Sequence, residues 1–283
     1  METLRRQDMA TLKAQINALD APACLNDFQA ENPVCPIPPL DTALPDGGLA
    51  RGALHEFVPG EYADFPAAVG FAGCLLHLLA GANLPMLWCS LGRGLDYPPL
   101  LFPPGLSNLG IDPDRILHVE VRSEKEMLWV LEEGLSSPAC PLLIAAMSEP
   151  EKLYDFKASR RLSLRAARHG GTLLLIRHHH ANHPSKRRGS TAAATRWSIS
   201  SRPSRPVFFS NARMPGFSSP RWHVALTRCK RGKPQHWQLE WDHEAFSFRL
   251  ATPLGDRTTP AAPDPLAEAS IGTESFPLQS VGG

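Results

Sequence analysis

The sequence predicts an α/β protein with a mainly parallel central sheet flanked by helices and a late antiparallel β extension. From residue 46 onward, short apolar segments alternate with segments of helical periodicity, an arrangement typical of βαβ units. After residue 195 the strand-like segments follow one another directly, and the turn-like stretch 230–234 joins the last two. At 283 residues and 43% hydrophobic composition, the chain is long enough to bury a sizeable core.

The chain begins with a segment of helical periodicity. Over residues 1–20 the apolar residues recur every three or four positions and predict an amphipathic helix. One stripe of that helix consists of Met9, Leu12, Ile16 and Leu19. Residues 21–45 contain six prolines and are interpreted as an extended linker. The stripe could therefore dock on its own domain or on another molecule.

Strands and helices alternate through the predicted domain, residues 46–250. The predicted strands are 53–58, 84–91, 116–121, 142–147, 172–176, 196–200, 221–228 and 237–241. The predicted helices are 66–80, one that Ser123 caps and that ends at Leu135, and 151–169, with a loop or broken helix at 98–109. Residues 251–283 are rich in Pro, Thr, Ala and Gly and predict a disordered tail.

The composition excludes several classes of protein. The six cysteines are widely spaced, with no Cys-x-x-Cys pair, which argues against a disulfide scaffold or a zinc ribbon. The N-terminus is polar and of mixed charge, unlike a signal peptide. No apolar run approaches the ~18 residues of a membrane span. We therefore expect a cytoplasmic protein with no membrane contact.

The net charge of +1 conceals a strong asymmetry. Residues 151–233 carry 19 Lys and Arg against 2 Asp and Glu, whereas residues 1–150 carry 8 against 19. Such a basic segment predicts contact with nucleic acid or with an acidic protein. The alternative is a solvated basic face that the acidic N-terminal half partly neutralises.

Two groups of cations make up the predicted binding surface. On the helix 151–169 they form one stripe with a neighbour beside it, namely Lys157, Arg161, Arg165, Arg168 and Arg160. A second group, Lys186, Arg187 and Arg188, lies in the basic loop that follows. Arginine and lysine follow a phosphate backbone without reading base sequence. Trp197 and Trp222 lie in strand patterns and are predicted to be core residues rather than stacking platforms.

Several segments resemble RecA-family recombinases in their order along the chain. Residues 44–57, LPDGGLARGALHEF, are similar to the Gly-Gly-Leu-x-x-Gly turn and strand that lead into the phosphate loop of that family. Residues 94–99 and 106–117 resemble its Leu-Asp turn and Leu-Gly-Val-Asp step. The basic loop 177–196 stands where RecA has its second DNA-binding loop. The resemblance covers residues 40–250 and implies a RecA-like core.

A narrower resemblance is to the ImuA proteins, RecA-like accessory factors of bacterial translesion synthesis that are sometimes grouped with SulA-like inhibitors. Residues 47–56, 157–162, 221–222 and 240–242 carry it. It implies a non-catalytic adaptor in SOS damage-induced mutagenesis, beside the ImuB protein and an error-prone DNA polymerase. The alternative is a SulA-like cell-division inhibitor that binds a tubulin-like division protein, but the long basic segment favours the adaptor. Since RecA proteins pack an N-terminal helix on the next subunit, the resemblance also implies self-association or RecA binding through the stripe at residues 9–19.

The sequence lacks the residues that ATP chemistry needs in this fold. A phosphate loop, Gly-x-x-x-x-Gly-Lys-Ser/Thr, surrounds phosphates with backbone N–H groups and supplies a lysine and a magnesium-binding hydroxyl. At the corresponding place, residues 58–67 contain Gly60, Glu61 and Asp64 but no second glycine, lysine or hydroxyl. The resemblance would place a catalytic glutamate where Gly92 and Arg93 stand, and an aspartate at the end of the strand 142–147. We expect no ATPase activity and no cofactor, against the alternative of an ATPase with an unconventional loop.

A histidine-rich stretch follows the predicted strand 172–176. His178, His179, His180 and His183 are metal-ligand residue types. Metal sites usually take ligands that separate elements hold in place, so a flexible histidine-rich loop is more often solvated. The sequence therefore favours a solvated loop and predicts no metal site.

Overall fold

The structure, a computed structural model, describes residues 33–81, 84–91, 101–147, 150–182, 190–207 and 216–251. The predicted N-terminal helix with its stripe lies outside these residues. So do the loop cations Lys186, Arg187 and Arg188 and all but the first residue of the predicted tail.

The described residues form an α/β fold built on one large sheet. Its strands, with four in two small separate ribbons, are β1 (Val34–Cys35), β2 (Leu49–Ala50), β3 (Leu54–Pro59), β4 (Met86–Leu91), β5 (Ile116–Val121), β6 (Leu142–Ala146), β7 (Thr172–Ile176), β8 (Thr195–Arg202), β9 (Pro206–Val207), β10 (Gly216–Phe217), β11 (Arg221–Cys229), β12 (Gln235–Asp242) and β13 (Ser247–Leu250). The α-helices are α1 (Phe65–Ala80), α2 (Pro103–Asn108), α3 (Glu124–Ser136) and α4 (Phe156–His169).

The large sheet has nine described strands in the order β13-β12-β11-β8-β3-β7-β6-β4-β5. The six strands from β8 to β5 run parallel, and β11, β12 and β13 continue the sheet in antiparallel fashion. Strand β8 is the junction because it pairs parallel with β3 and antiparallel with β11. This is the predicted fold class, a parallel sheet with a late antiparallel extension.

Two hydrophobic cores lie on opposite faces of the sheet. Side chains of a strand alternate between faces, and along β7 Leu174 packs in the core with α1 whereas Leu173 and Leu175 pack in the core with α3 and α4. Trp197 and Trp222 are buried in the α1 core, which confirms their prediction as core residues. The helices therefore cover both faces of the sheet, and functional sites of α/β proteins gather at the carboxyl ends of the parallel strands.

Element boundaries agree with the sequence where local signals set them. Strands β5 and β7 have the predicted bounds. Ser123 Oγ accepts from the Glu126 N–H at 3.2 Å and starts α3, as the capping pattern predicted. Helix α4 begins later than residue 151, because the Asp155 side chain accepts from the Ala158 N–H at 2.8 Å and caps the helix there.

The interpretation of residues 33–45 as linker is wrong. This segment pairs through β1 with β2, and Ile37 and Leu40 are fully buried in the α1 core. Its prolines shape a compact path, with a 3-10 helix at Asp41–Ala43, rather than an extended one. The folded domain therefore begins at or before residue 33 rather than at residue 46.

One stretch of the described chain, Tyr62–Ala80, is long and apolar enough to cross a membrane by length and composition alone. It comprises α1 and the turn before it, and 61% of it is buried inside the protein. Burial against the sheet accounts for its apolar character.

The histidine in β3 is expected to make the fold sensitive to acid. His55 is completely buried, with Nδ1 2.7 Å from Thr195 Oγ1 and Nε2 2.8 Å from Ala50 O, and burial lowers its pKa from 6.5 to about 4. Because the unfolded chain binds this proton more readily, stability falls as the pH drops from 6.5 to 4, by about 3 kcal/mol. Urea unfolding across this range should show that loss in the wild type and a correspondingly smaller slope in His55→Gln. If stability falls equally steeply with pH in the wild type and in His55→Gln, the lowered pKa of His55 is not the cause.

Candidate functional site

The turn after β3 occupies the place of a phosphate loop. Gly60 ends the strand, a 3-10 turn follows at Tyr62–Asp64, and α1 starts at Phe65 with a proline in its first turn. The Gly60 N–H donates to Ile199 O at 2.8 Å, so β8 rather than open space receives this donor. A Cβ on Gly60 would approach Ser200 Oγ to 2.2 Å, which shows how closely the turn packs on β8.

Asp64 anchors this turn instead of facing a ligand. Its Oδ1 accepts from the Ser201 N–H at 2.7 Å and from the Ser201 hydroxyl at 2.8 Å, and the side chain is buried. Glu61 is exposed, as is the Tyr62 side chain beside it. The turn thus has one buried and one exposed carboxylate where the phosphate loop has a lysine and a hydroxyl.

The end of β6 has no acidic side chain among the described residues. The strand is followed by Met147, which is buried and whose N–H donates to Ile176 O at 2.9 Å. Glu149 and the Gly92-Arg93 pair lie outside the described residues. The aspartate that organises magnesium in a phosphate-loop enzyme has a methionine in its place here.

A buried carboxylate at the centre of this edge holds four elements together. Glu56, on β3, is fully buried. Its Oε1 accepts from the Tyr154 hydroxyl at 2.7 Å and the Thr191 hydroxyl at 2.5 Å. Its Oε2 accepts from Arg177 Nη1 at 3.2 Å and Arg196 Nε at 2.7 Å. Glu56 was predicted only as part of the segment 44–57, although a glutamate inside an apolar strand is the signal of a buried ion pair.

Charge neutralisation accounts for the stability of this Glu56 cluster. Burial raises the pKa of Glu56, but Arg177, Arg196 and the hydroxyl donors outweigh that effect and hold its pKa below the ordinary value. Arg177 also pairs with Glu151 at 3.1 Å and lies over the Tyr154 ring at 5.0 Å. Two carboxylates and two guanidinium groups therefore share the cluster, and every one of them has a partner.

Three histidines converge where β7 ends. The ring centroids of His178, His179 and His180 are 4.1 to 4.5 Å apart, and His178 is 6% exposed. Burial, and then the neighbouring His180, lower the pKa of His179. The Tyr62 ring meets His179 edge-on at 5.8 Å, so the histidines adjoin the turn after β3. The prediction of a solvated loop is wrong for His178, because a 3-10 helix at His179–Asn182 turns the chain back over the sheet edge.

The predicted basic stripe lies on α4, where the structure divides it in two. Arg161 and Arg165 pair with Glu132 of α3 at 3.0 and 3.3 Å, and Arg165 also donates to Ser136 Oγ at 2.8 Å. Lys157, Arg160 and Arg168 are exposed and have no ion pair within the described part of the chain. The acidic N-terminal half thus neutralises two of the five predicted cations, and the other three remain available.

Apolar side chains accompany these cations. Leu164, one turn from both Arg160 and Arg168, is 59% exposed, and Phe156 at the start of α4 is 43% exposed. A cleft of about 330 Å³ beside the N-terminus of α3 adds Lys125 and Lys152 to the same side of the sheet. The mixed basic and apolar surface is unusual for a purely solvated face.

The sheet order and the helices on both of its faces define a RecA-like α/β protein. A solved structure described as the RadB recombinase shares the fold with a TM-score of 0.51 at 12% identity, over 76% of this chain and 98% of that one. Two curated relatives named protein ImuA, from Caulobacter vibrioides strains NA1000 / CB15N and ATCC 19089 / CIP 103742 / CB 15, are 32% identical over 236 residues. The match spans 80% of this chain and 91% of each relative, so the chain belongs to the ImuA family.

No protein-family model matches the chain. Membership of the ImuA family makes the protein a translesion-synthesis-associated one, as the motifs at residues 47–56 and 157–162 implied. The comparisons do not favour the division-inhibitor alternative.

Removal of the Glu56 charge is expected to destabilise the fold strongly. Glu56→Gln leaves Arg177 and Arg196 without their shared partner, and breaking a buried ion pair in this way costs about 3–5 kcal/mol. Urea unfolding at pH 7 should show that loss, whereas the exposed control Glu133→Gln should stay within about 0.5 kcal/mol of the wild type. Because the folded pKa of Glu56 is lowered, its contribution fades as the pH falls below its ordinary 4.5. The difference between wild type and Glu56→Gln should therefore shrink in acid; equal stability at pH 7 would refute the role of the cluster.

Proposed function

We propose that this protein is a non-catalytic, cytoplasmic adaptor of translesion DNA synthesis that acts with an ImuB protein and an error-prone DNA polymerase. The proposal depends on two features taken together. The turn after β3 is bonded to β8, and α4 has an exposed basic face. The family membership supports the pathway. An adaptor needs binding surfaces and a rigid core, and neither of these requires that the protein bind or hydrolyse ATP.

The contacts of the turn after β3 support the absence of ATP hydrolysis. In a phosphate loop successive N–H groups point at the nucleotide, but here the Gly60 N–H bonds to β8. Glu61 is exposed on the same turn, and its negative charge would repel a phosphate there. We therefore propose that the protein needs no nucleotide cofactor.

The exposed face of α4 is proposed to contact DNA phosphates. Like charges on one helix face repel by a few tenths of a kcal/mol per pair, and a polyanion would remove that repulsion. Lys157, Arg160 and Arg168 would supply the phosphate contacts, and Leu164 between them offers an apolar contact to a base. Arg161 and Arg165 would contribute less because they share Glu132.

Two further parts of the proposal concern residues outside the described ranges. The cations Lys186, Arg187 and Arg188 would extend the basic face, as their sequence position beside the second DNA-binding loop of RecA implies. The stripe of Met9, Leu12, Ile16 and Leu19 would bind a second copy of the chain or RecA. Both parts depend on the sequence alone.

Charge reversal on α4 should weaken DNA binding. We expect Lys157→Glu/Arg160→Glu/Arg168→Glu to raise the Kd for a single-stranded oligonucleotide at least tenfold in low salt, measured by fluorescence anisotropy. The slope of log Kd against log salt should fall by about 2, because each lost phosphate contact contributes about 0.7. ATP and magnesium should change neither quantity.

The matched control reverses three exposed cations on the antiparallel extension, Arg202→Glu/Lys230→Glu/Lys233→Glu, and should bind within twofold of the wild type. If the α4 variant binds DNA with wild-type affinity, the proposed DNA contact on this face of α4 is wrong. A pull-down with purified ImuB then decides what the face does instead. Loss of ImuB binding in the α4 variant alone would make it a protein interface.

The wild-type protein is expected to release no phosphate from ATP in the presence of magnesium, with or without DNA. The turn after β3 contains no lysine or arginine for the phosphates, and the N–H groups of Gly60 and Asp64 are already bonded within the protein. A Tyr62→Ala variant, altered at the exposed side of that turn, serves as the comparison in a phosphate-release assay. Magnesium-dependent hydrolysis that falls in Tyr62→Ala would mean that the turn supports catalysis after all.

A further inference from the structure

The donor atoms of His178, His179 and His180 all lie within 4.8 Å of one another at the carboxyl end of β7. From this convergence we propose that the three imidazoles bind one divalent transition-metal ion, with Zn²⁺ as the probe. Neither the fold nor the ImuA family requires such a site, and the proposal is independent of DNA binding by α4.

The turn that ends β7 fixes the position of the first ligand. The His178 N–H donates to Glu151 Oε1 at 3.1 Å, and Glu151 in turn pairs with Arg177 of the Glu56 cluster. The Ala181 N–H donates to His178 O at 3.0 Å and closes the turn. A buried histidine attached to a rigid, neutralised cluster loses little freedom when it binds a metal, which favours affinity.

The other two ligands have the freedom to complete the site. A tetrahedral zinc ion with Zn–N bonds of 2.0–2.1 Å places its nitrogens roughly 3.3 Å apart. The present separations of up to 4.8 Å must therefore close by about 1.5 Å at most. His179 is half-buried and His180 exposed, so side-chain rotation can supply that movement. The His180 N–H bond to His178 Nδ1 is 3.3 Å long and therefore weak, so a metal can replace it at small cost.

The donor set selects the class of metal. Three imidazoles without thiolate or carboxylate suit zinc, copper, nickel or iron, and are poor ligands for magnesium or calcium. Imidazoles must be neutral to bind a metal. Three protein ligands leave a fourth position for water or for a group of an incoming molecule.

The test uses isothermal titration calorimetry of Zn²⁺ into the full chain, prepared without a histidine tag. We expect one Zn²⁺ per chain with a Kd of micromolar or tighter, and at least tenfold weaker binding in His180→Ala. The exposed histidine variant His236→Ala, on β12, should bind as the wild type does. Affinity should also fall at least tenfold between pH 7.5 and pH 5.5 as the imidazoles become protonated.

Three outcomes of the zinc titration would contradict the proposed site. No zinc binding by the wild type at millimolar concentration, or identical binding by wild type and His180→Ala, would overturn it. His180 is exposed, so His180→Ala should unfold in urea like the wild type, and a lost heat of binding then reports the ligand and not the fold. Equal losses in His180→Ala and His236→Ala would show scattered surface binding and would also overturn the site.

Discussion

The buried Glu56 carboxylate is the interaction on which the rest of the described structure depends. It joins β3 to β7 through Arg177, to β8 through Arg196, and to the segment before α4 through Tyr154. A single buried charge in this position would be costly, and two guanidinium groups with two hydroxyl donors make it tolerable. Because β8 is the strand where the parallel sheet changes to the antiparallel extension, the cluster also fixes how the two halves of the sheet meet.

The same cluster and its neighbours fill the carboxyl edge of the sheet at β3, β7 and β8. At this edge, groups of the turn after β3 bond to β8. The Gly60 N–H donates to Ile199 O, and the Asp64 carboxylate accepts from the Ser201 N–H. Glu151, which neutralises Arg177, also fixes the backbone of His178. In the RecA-like fold of this chain, these groups at the carboxyl edge are therefore bonded to one another. The exposed cations Lys157, Arg160 and Arg168, in contrast, lie on the outer face of α4.

The sequence predicted the elements whose signals are local, and missed the arrangements that need distant partners. The bounds of β5 and β7 and the start of α3 after Ser123 depend on residues adjacent in the sequence. They could therefore be predicted directly. The pairing of Arg161 and Arg165 with Glu132, 29 residues from Arg161, depends on how α3 and α4 pack. The burial of Ile37 and Leu40 was missed because prolines dominate the local pattern, whereas the contacts that bury them come from α1. His178, His179 and His180 were named as possible ligands but interpreted as a solvated loop, because the burial of His178 depends on residues distant in the sequence.

The separation of β3 from β8 along the chain has a consequence for synthesis on the ribosome. Glu56 and Arg196 are 140 residues apart in a chain of 283, so about half of the chain is made between this glutamate and its second arginine. Until then one side of β3 has no neighbouring strand, and an unpaired apolar strand invites aggregation. The hairpins of β11, β12 and β13, in contrast, join neighbours in sequence and can close as soon as they emerge. The nascent chain is therefore at its most vulnerable in the middle of its synthesis, and the emergence of β8 ends that interval.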